Sequence, residues 1–390
     1  MVNSAYRFGI EEEYFLSDAE SRGAVRKIAP RFIEAAQAAF PDELQREMLQ
    51  SQIEVATPVC ESMVEARQTL RRLRSGLAAL AREHDMLLLA CGTHPSAVWA
   101  RQRATEAKRY DSIMRDLQML GSRNQLCGLH VHVEVPDEEQ RISIMGRMLP
   151  YLPLLLALST SSPFWQGRRT GLMGYRLCAY AELPRTGLPE LFADAADYRT
   201  YVDTMVAAGA MRDSSFIWWA LRSSHQHPTL ELRVADSCTR LDDTLAITAL
   251  YRCLVRLLAR KPALNDDLTA ASRALAAENI WRAQRYGLHG GFVCEKRRAM
   301  IPVGQVLEET LALLEEDAAA LGCGLDLAHC RSIVATGTSA DMQLAVFEEA
   351  RAGAGGQSAG LVAVTDWIAT QTRADDDLLP QGVDVLRGAA

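Results

Sequence analysis

Four short stretches of this chain carry polar or ionisable side chains at alternate positions. They are FGIEEEYF (8–15), QIEVAT (52–57), GLHVHVEV (128–135) and TLELRVA (229–235). Side chains on a β-strand point alternately to its two faces. Read this way, Glu11 and Glu13 share a face, as do Gln52 and Glu54. His130, His132 and Glu134 share another, and Glu231 lies with Arg233. Behind the last three sets stand Ile53 and Val55, then Leu129, Val131, Val133 and Val135, then Leu230, Leu232 and Val234. The first stretch follows the pattern in part, because Glu12 falls with Ile10 and Tyr14. Carboxylates brought together repel, and they protonate or weaken the fold unless cations sit between them. Carboxylates with a minority of imidazole suit hard cations such as Mg²⁺ or Mn²⁺. Arg233 suits an anion such as a phosphate. Acids, divalent metals and an arginine together are the equipment of phosphoryl transfer from a nucleotide. Two rival readings stand beside this one. His130 and His132 with one carboxylate could form the two-His-one-carboxylate centre of a cupin-like oxygenase or hydrolase. A non-catalytic nucleotide- or metabolite-binding protein of the same fold is the other.

The elements that must position these groups follow from periodicity. Strands are expected over 6–16, 51–57, 128–135 and 229–235. If they join one sheet, their polar faces meet in one cleft and helices cover the apolar face. Ser62 and Glu65 form a capping-box pattern, followed by Met63, Ala66, Leu70, Leu73, Leu77 and Leu80 at helical spacing. Further helices are expected over 243–261, 268–285 and 306–321. No glycine-rich phosphate loop follows any strand, which removes the main support for a P-loop or dinucleotide fold. The AGAGGQSAG segment (352–360) is flexible in composition. A short amphipathic run over 361–372 and an acidic tail with Asp375, Asp376 and Asp377 follow it. Residues 1–350 are therefore expected to form a single catalytic domain, and 351–390 a flexible segment and tail that could close over the site.

Whole-chain properties narrow the partners. Hydrophobic residues make up 48% of the 390, enough for a sizeable core. The formal net charge of -7 gives no general attraction to nucleic acid or anionic membranes. The first residues lack the basic start and apolar run of a signal peptide. The most apolar segment, 151–158, is too short to span a bilayer. Nine cysteines with no C-x-x-C spacing fit reduced thiols in the cytoplasm.

The pattern resembles the glutamate–cysteine ligase type 2 family (carboxylate-amine ligases) within the glutamine synthetase-like group. The matching stretches are GIEEEYF (9–15), EMLQSQIEVATP (47–58), GTHP (92–95), then Trp99, Gln102, Thr105, Arg109 and Tyr110. They continue with CGLHVHV (127–133), WWALR (218–222), TLELRVAD (229–236) and ENIWRAQRYG (278–287). The resemblance implies an α+β fold, with a curved, mainly antiparallel sheet and helices on its convex face, like a glutamine synthetase catalytic domain. It implies ATP and Mg²⁺ (or Mn²⁺), with one metal on Glu13, Glu47 and Glu54 and a second on Glu11, His130 and Glu231. It places His132, Arg222 and Arg233 on the nucleotide phosphates, with Arg233 and Glu54 as catalytic residues. Thr93, Arg109, Arg282 and Arg285 become candidates for the substrate carboxylate. The implied reaction joins a carboxylate to an amine, probe substrates being glutamate and cysteine, through an acyl phosphate. Its partners would be small molecules, with no nucleic acid or membrane, in a possible homo-oligomer. Two departures are visible. There is no room before Tyr6 for the extra N-terminal domain of glutamine synthetases. LHGG (288–291) also stands where an acidic residue is more usual, which touches the substrate-side loop.

Overall fold

A computed structural model describes residues 6–105, 114–353 and 355–373. Seven strands form one antiparallel sheet: β1 (Phe8–Asp18), β2 (Leu44–Arg46), β3 (Gln52–Ala56), β4 (Met86–Leu89), β5 (Leu129–Glu134), β6 (Leu221–Ser223) and β7 (Thr229–Leu232). Their order is β2-β3-β1-β5-β7-β6, with β4 paired to the far end of β1. The four expected strands are all present and all in this sheet. The strands not expected, β2, β4 and β6, have only three or four residues. Such lengths are too short to show alternation, and their pairing partners define them.

Alternation does what it must. Phe8, Ile10, Leu129, Val131, Val133, Leu230 and Leu232 join one buried cluster. The helices α1 (Met63–Glu83) and α2 (Leu241–Arg260) contribute Leu70, Leu245, Leu254 and others to it. The Ser62 hydroxyl caps α1 by accepting the Glu65 N–H at 3.2 Å. The helix expected over 268–285 is α3 (Ala270–Tyr286), and the one expected over 306–321 is split at Leu314 into Val303–Leu313 and Glu315–Leu321. The apolar segment over 151–158 forms the buried core helix Leu152–Ser159. Among the described residues, no single helix is long and apolar enough to cross a membrane.

The glycine-rich segment departs from expectation. Residues Gly356–Thr372 form a helix, α5, which packs on α4 (Ser339–Arg351). A Cβ on Gly360 would stand 2.6 Å from the Phe347 ring. Glycine here permits close helix packing, which composition alone reads as flexibility. Val364 and Ile368 are buried with Phe347 and Leu89, and the Thr372 hydroxyl accepts the Ala90 N–H at 2.9 Å. The acidic tail lies outside the described residues.

Candidate active site

The sheet register sets the site in a row. Glu13 stands opposite Glu54 across β1 and β3, and Glu11 opposite His130 across β1 and β5. His132 stands opposite Glu231 across β5 and β7, and Arg222 opposite Glu231 across β6 and β7. Facing residues on antiparallel strands are nearest neighbours, so five strands bring their polar groups together. Glu47, one residue beyond β2, joins them. All these groups line one cavity of about 660 Å³.

Three sets of potential ligand atoms lie within 4.8 Å of one another: Glu13, Glu47 and Glu54; Glu11, Glu54 and His130; and Glu11, His132 and Glu231. The first set is the one the resemblance implied. The second implied set is rearranged. Glu231 groups with His132, its register partner, whereas His130 groups with Glu11 and Glu54. Among the described residues no set contains both histidines, although Glu11 lies 3.3 Å from each of them.

The electrostatics are strained where only acids meet. Burial, then repulsion from Glu11, Glu47 and Glu13, pushes the Glu54 carboxyl well above its usual range. Burial and Glu47 push Glu13 up to about 8, against Arg176 and the Gly128 N–H, which donates to Glu13 Oε2 at 2.6 Å. Glu11 is half-buried, and although burial works against its charge, hydrogen bonds with His130 and His132 hold it well below the usual range. Burial and Arg233 depress His130 to about 4. Burial also opposes charge on His132, yet Glu11 and Glu231 raise it. His130 Nδ1 lies 3.3 Å from Glu11, and its Nε2 is buried without a hydrogen-bond partner. An unpartnered imidazole nitrogen beside crowded carboxylates fits a divalent cation.

Glu231 is different. Arg222 grips it with Nε and Nη2 at 2.7 and 3.1 Å, and Arg233 bonds it through Nη1. Burial would raise its pKa, but Arg233 and Arg222 drive it far below the usual range. The carboxylate is thus neutralised within the protein and anchors both arginines. Arg222 also spends Nη1 on the Ser215 and Ile217 carbonyls, at 3.1 and 2.8 Å. Arg233 Nη2 donates to the Tyr180 hydroxyl at 3.1 Å, and its Nε is buried without a partner.

The expected substrate contacts do not gather here. The Thr93 hydroxyl donates to the Phe164 carbonyl at 2.6 Å, which uses its only side-chain donor inside the core. Arg282 donates to the Gly291 carbonyl at 2.6 Å and packs on Tyr286, as does Arg285. None of the three lines the cavity. Arg109 lies outside the described residues. Sequence reasoning missed Arg176, which lines the cavity from the short helix Arg176–Tyr180. Nothing periodic marks that segment. Glu12, which alternation put with Ile10 and Tyr14, does turn to the helix-covered face, where it pairs with Arg74 of α1, a partner the sequence did not reveal.

Comparisons with known proteins show the family and the fold. The family model described as Glutamate-cysteine ligase family 2 matches residues 7–360. A protein named "Putative glutamate--cysteine ligase 2" in Bradyrhizobium diazoefficiens is 47% identical over 94% of this chain and 84% of its own length. One of the same name in Rhodospirillum rubrum is 45% identical over 98% of each chain. Among solved structures, a glutamate–cysteine ligase from Francisella tularensis, crystallised with AMP, aligns with a TM-score of 0.70 at 12% identity, covering 96% of this chain and 90% of its own. A bifunctional glutathione synthetase from Pasteurella multocida aligns with a TM-score of 0.68 at 16% identity, over 94% of this chain and 53% of its own. At these identities the structural likeness speaks for the fold. Matched along most of its length, the chain belongs to the glutamate–cysteine ligase family 2.

Proposed function

We propose that this protein is an ATP-dependent carboxylate–amine ligase of the glutamate–cysteine type, working through an acyl phosphate on a curved, glutamine synthetase-like sheet. The observation that carries the reading is the Glu13, Glu47 and Glu54 cluster beside Arg233 in one cavity. The Francisella ligase solved with AMP supports nucleotide binding. We place catalysis in residues 1–350, acting on small molecules in the cytoplasm, where the nine unpaired cysteines would stay reduced.

In the first step a substrate carboxylate oxygen attacks the γ-phosphorus of ATP, and ADP leaves. In the second, an amine nitrogen attacks the acyl carbon, inorganic phosphate leaves with the former carboxylate oxygen, and the nitrogen gives up a proton. Glu13, Glu47 and Glu54 would hold one Mg²⁺ or Mn²⁺, and Glu11 with His130 a second. When bound, such cations neutralise phosphate charge and relieve the repulsion at Glu54. Arg233, locked by Glu231 and Tyr180, presents a fixed positive charge to the transferring phosphoryl group without having to reorganise. Arg222 holds Glu231, the partner of Arg233, in place. The buried floor of the cavity limits water, which would otherwise hydrolyse the acyl phosphate.

The test is phosphate release from ATP with Mg²⁺ or Mn²⁺ and glutamate, with and without a panel of amines that includes cysteine. Release that rises with one amine, together with ADP and a new amide by mass, is the expected result. Formation of AMP and pyrophosphate instead would overturn the acyl-phosphate route.

A further inference from the structure

One buried cation in the cavity has no part in the scheme above. Arg176 is 2% exposed and lies beside Glu13. Its Nη1 donates to the Arg233 and Ala235 carbonyls at 3.2 and 3.1 Å, and its Nε is buried without a partner. Arg222 and Arg233 share Glu231, whereas these contacts of Arg176 are to neutral groups. Glu13 and Asp236 feel its charge through space. Its backbone is fixed as well: the Arg176 N–H donates to Ser162 Oγ at 3.0 Å, and that hydroxyl donates to Asp236 at 2.6 Å. The chain also makes room for it. A Cβ on residue 128 would stand 2.2 Å from Arg176 Nη2 and 2.9 Å from His130 Nε2, so only glycine lets the guanidinium reach this spot.

A buried guanidinium that hydrogen-bonds only neutral groups, its carboxylate neighbours acting through space, keeps part of its desolvation cost until an oxyanion bonds it directly. The open side of this one is the cavity. We infer that Arg176 is a substrate-contacting residue that receives an oxyanion, either the carboxylate of the amino-acid substrate or the phosphoryl group under transfer. Its planar fork suits either group. The inference rests on the ligase reading for its substrates and on the geometry of Arg176 for its site.

The experiment compares wild type with Arg176→Gln and Arg176→Lys. It reads KM for glutamate, KM for ATP and kcat, together with calorimetric binding of ATP and of glutamate, and thermal melts as the folding control. Loss of a charge-assisted contact should raise the affected constant about 10- to 100-fold in the Gln variant, and less in the Lys variant. A rise confined to glutamate assigns the carboxylate. The wild-type preference for glutamate over 4-aminobutyrate, which lacks the α-carboxylate, should then shrink in Arg176→Gln. A rise in KM for ATP, or a fall in kcat alone, assigns the phosphoryl group. If the Gln variant does not fold, the Lys variant carries the same comparison. Constants within twofold of wild type in a folded variant would overturn the inference. A wild type that binds ATP or glutamate but turns over no pair sinks the ligase reading alone, because the binding measurements still test Arg176. A wild type that binds neither sinks both.

Discussion

His94 is 1% exposed, and its protonation state is fixed by its neighbours. Its Nδ1 accepts the N–H groups of Ser96 and Ala97 at 3.2 and 3.1 Å. The proton therefore sits on Nε2, which faces the Ser17 hydroxyl at 2.5 Å. Burial depresses the ring to about 3. The unfolded chain takes up this proton near the ordinary value of 6.5 and the folded chain only near 3. Stability is thus independent of His94 above about pH 6.5 and falls as pH drops towards 3, by about 1.4 kcal/mol per pH unit. Urea denaturation from pH 7 to pH 4 should show a steeper loss in wild type than in His94→Gln, which keeps one donor and one acceptor. Equal slopes would remove His94 from the acid response. The cavity residues were legible for a related reason, since their neighbours are set by simple rules. Parity along a strand brought Glu11, Glu13, Glu54, His130, His132, Glu231 and Arg233 to one wall. Glu47, just past a strand end, and Arg176, on a five-residue helix, have no parity to betray them. Thr93, Arg282 and Arg285 were drawn from motif strings, and their donors or rings turn out to be engaged within the fold.

At the scale of elements, β1 carries the site on one face and is fastened by the other. Glu12, between Glu11 and Glu13, is fully buried against Arg74 of α1, bonded through Nε at 3.0 Å and through Nη2. Thr244 of α2 donates to the same carboxylate at 2.7 Å, and Tyr14 donates to it as well. Arg74 in turn caps the Thr239 and Cys238 carbonyls, each at 2.8 Å. Two helices and the central strand are thus tied through one carboxylate directly behind the metal-ligand candidates. Arg74→Ala leaves Glu12 buried and uncompensated, which should cost about 3–5 kcal/mol in chemical denaturation. Adding Glu12→Gln to that variant should recover part of the loss, because no charge then remains to be desolvated. A loss below about 1 kcal/mol would mean that water reaches Glu12. The sequence hid this tie because an acid on an apolar face reads as a break in the pattern. The helices were plainer, since α1 repeats leucines over about three turns and α2 over about five. The fold's least legible part was α5, whose glycines resemble a linker until Phe347 is seen against Gly360.

Across the whole molecule, a net charge of -7 is modest for 390 residues, yet six carboxylates line one cavity, of which Glu134 is paired with Arg7. Glu231 is answered by arginines and Glu11 by histidines, which leaves Glu13, Glu47 and Glu54 with each other. The folded state raises Glu54 well above its ordinary 4.5. A carboxyl raised in this way contributes stability that is complete below about pH 4.5 and is lost as pH rises through the folded value. At pH 8 the metal-free protein should therefore either hold protons on these carboxyls or suffer their repulsion, and both oppose folding. A divalent cation that binds the folded chain alone stabilises it by RT ln(1 + [L]/Kd), about 2.7 kcal/mol at a hundredfold excess over Kd. Thermal melts at pH 8 with chelator and then with Mg²⁺ or Mn²⁺ should show this as a rise in Tm. Glu54→Gln removes one charge from the cluster. It should melt above wild type in chelator, gain less from the cation, and lose turnover by about a hundredfold or more. That combination separates a site selected for chemistry from one selected for stability, since the first is expected to weaken the fold that holds it. An equal cation gain in both proteins would take Glu54 out of the metal site, and a lower Tm for the variant in chelator would mean that the cluster's repulsion is already answered by other groups in the fold.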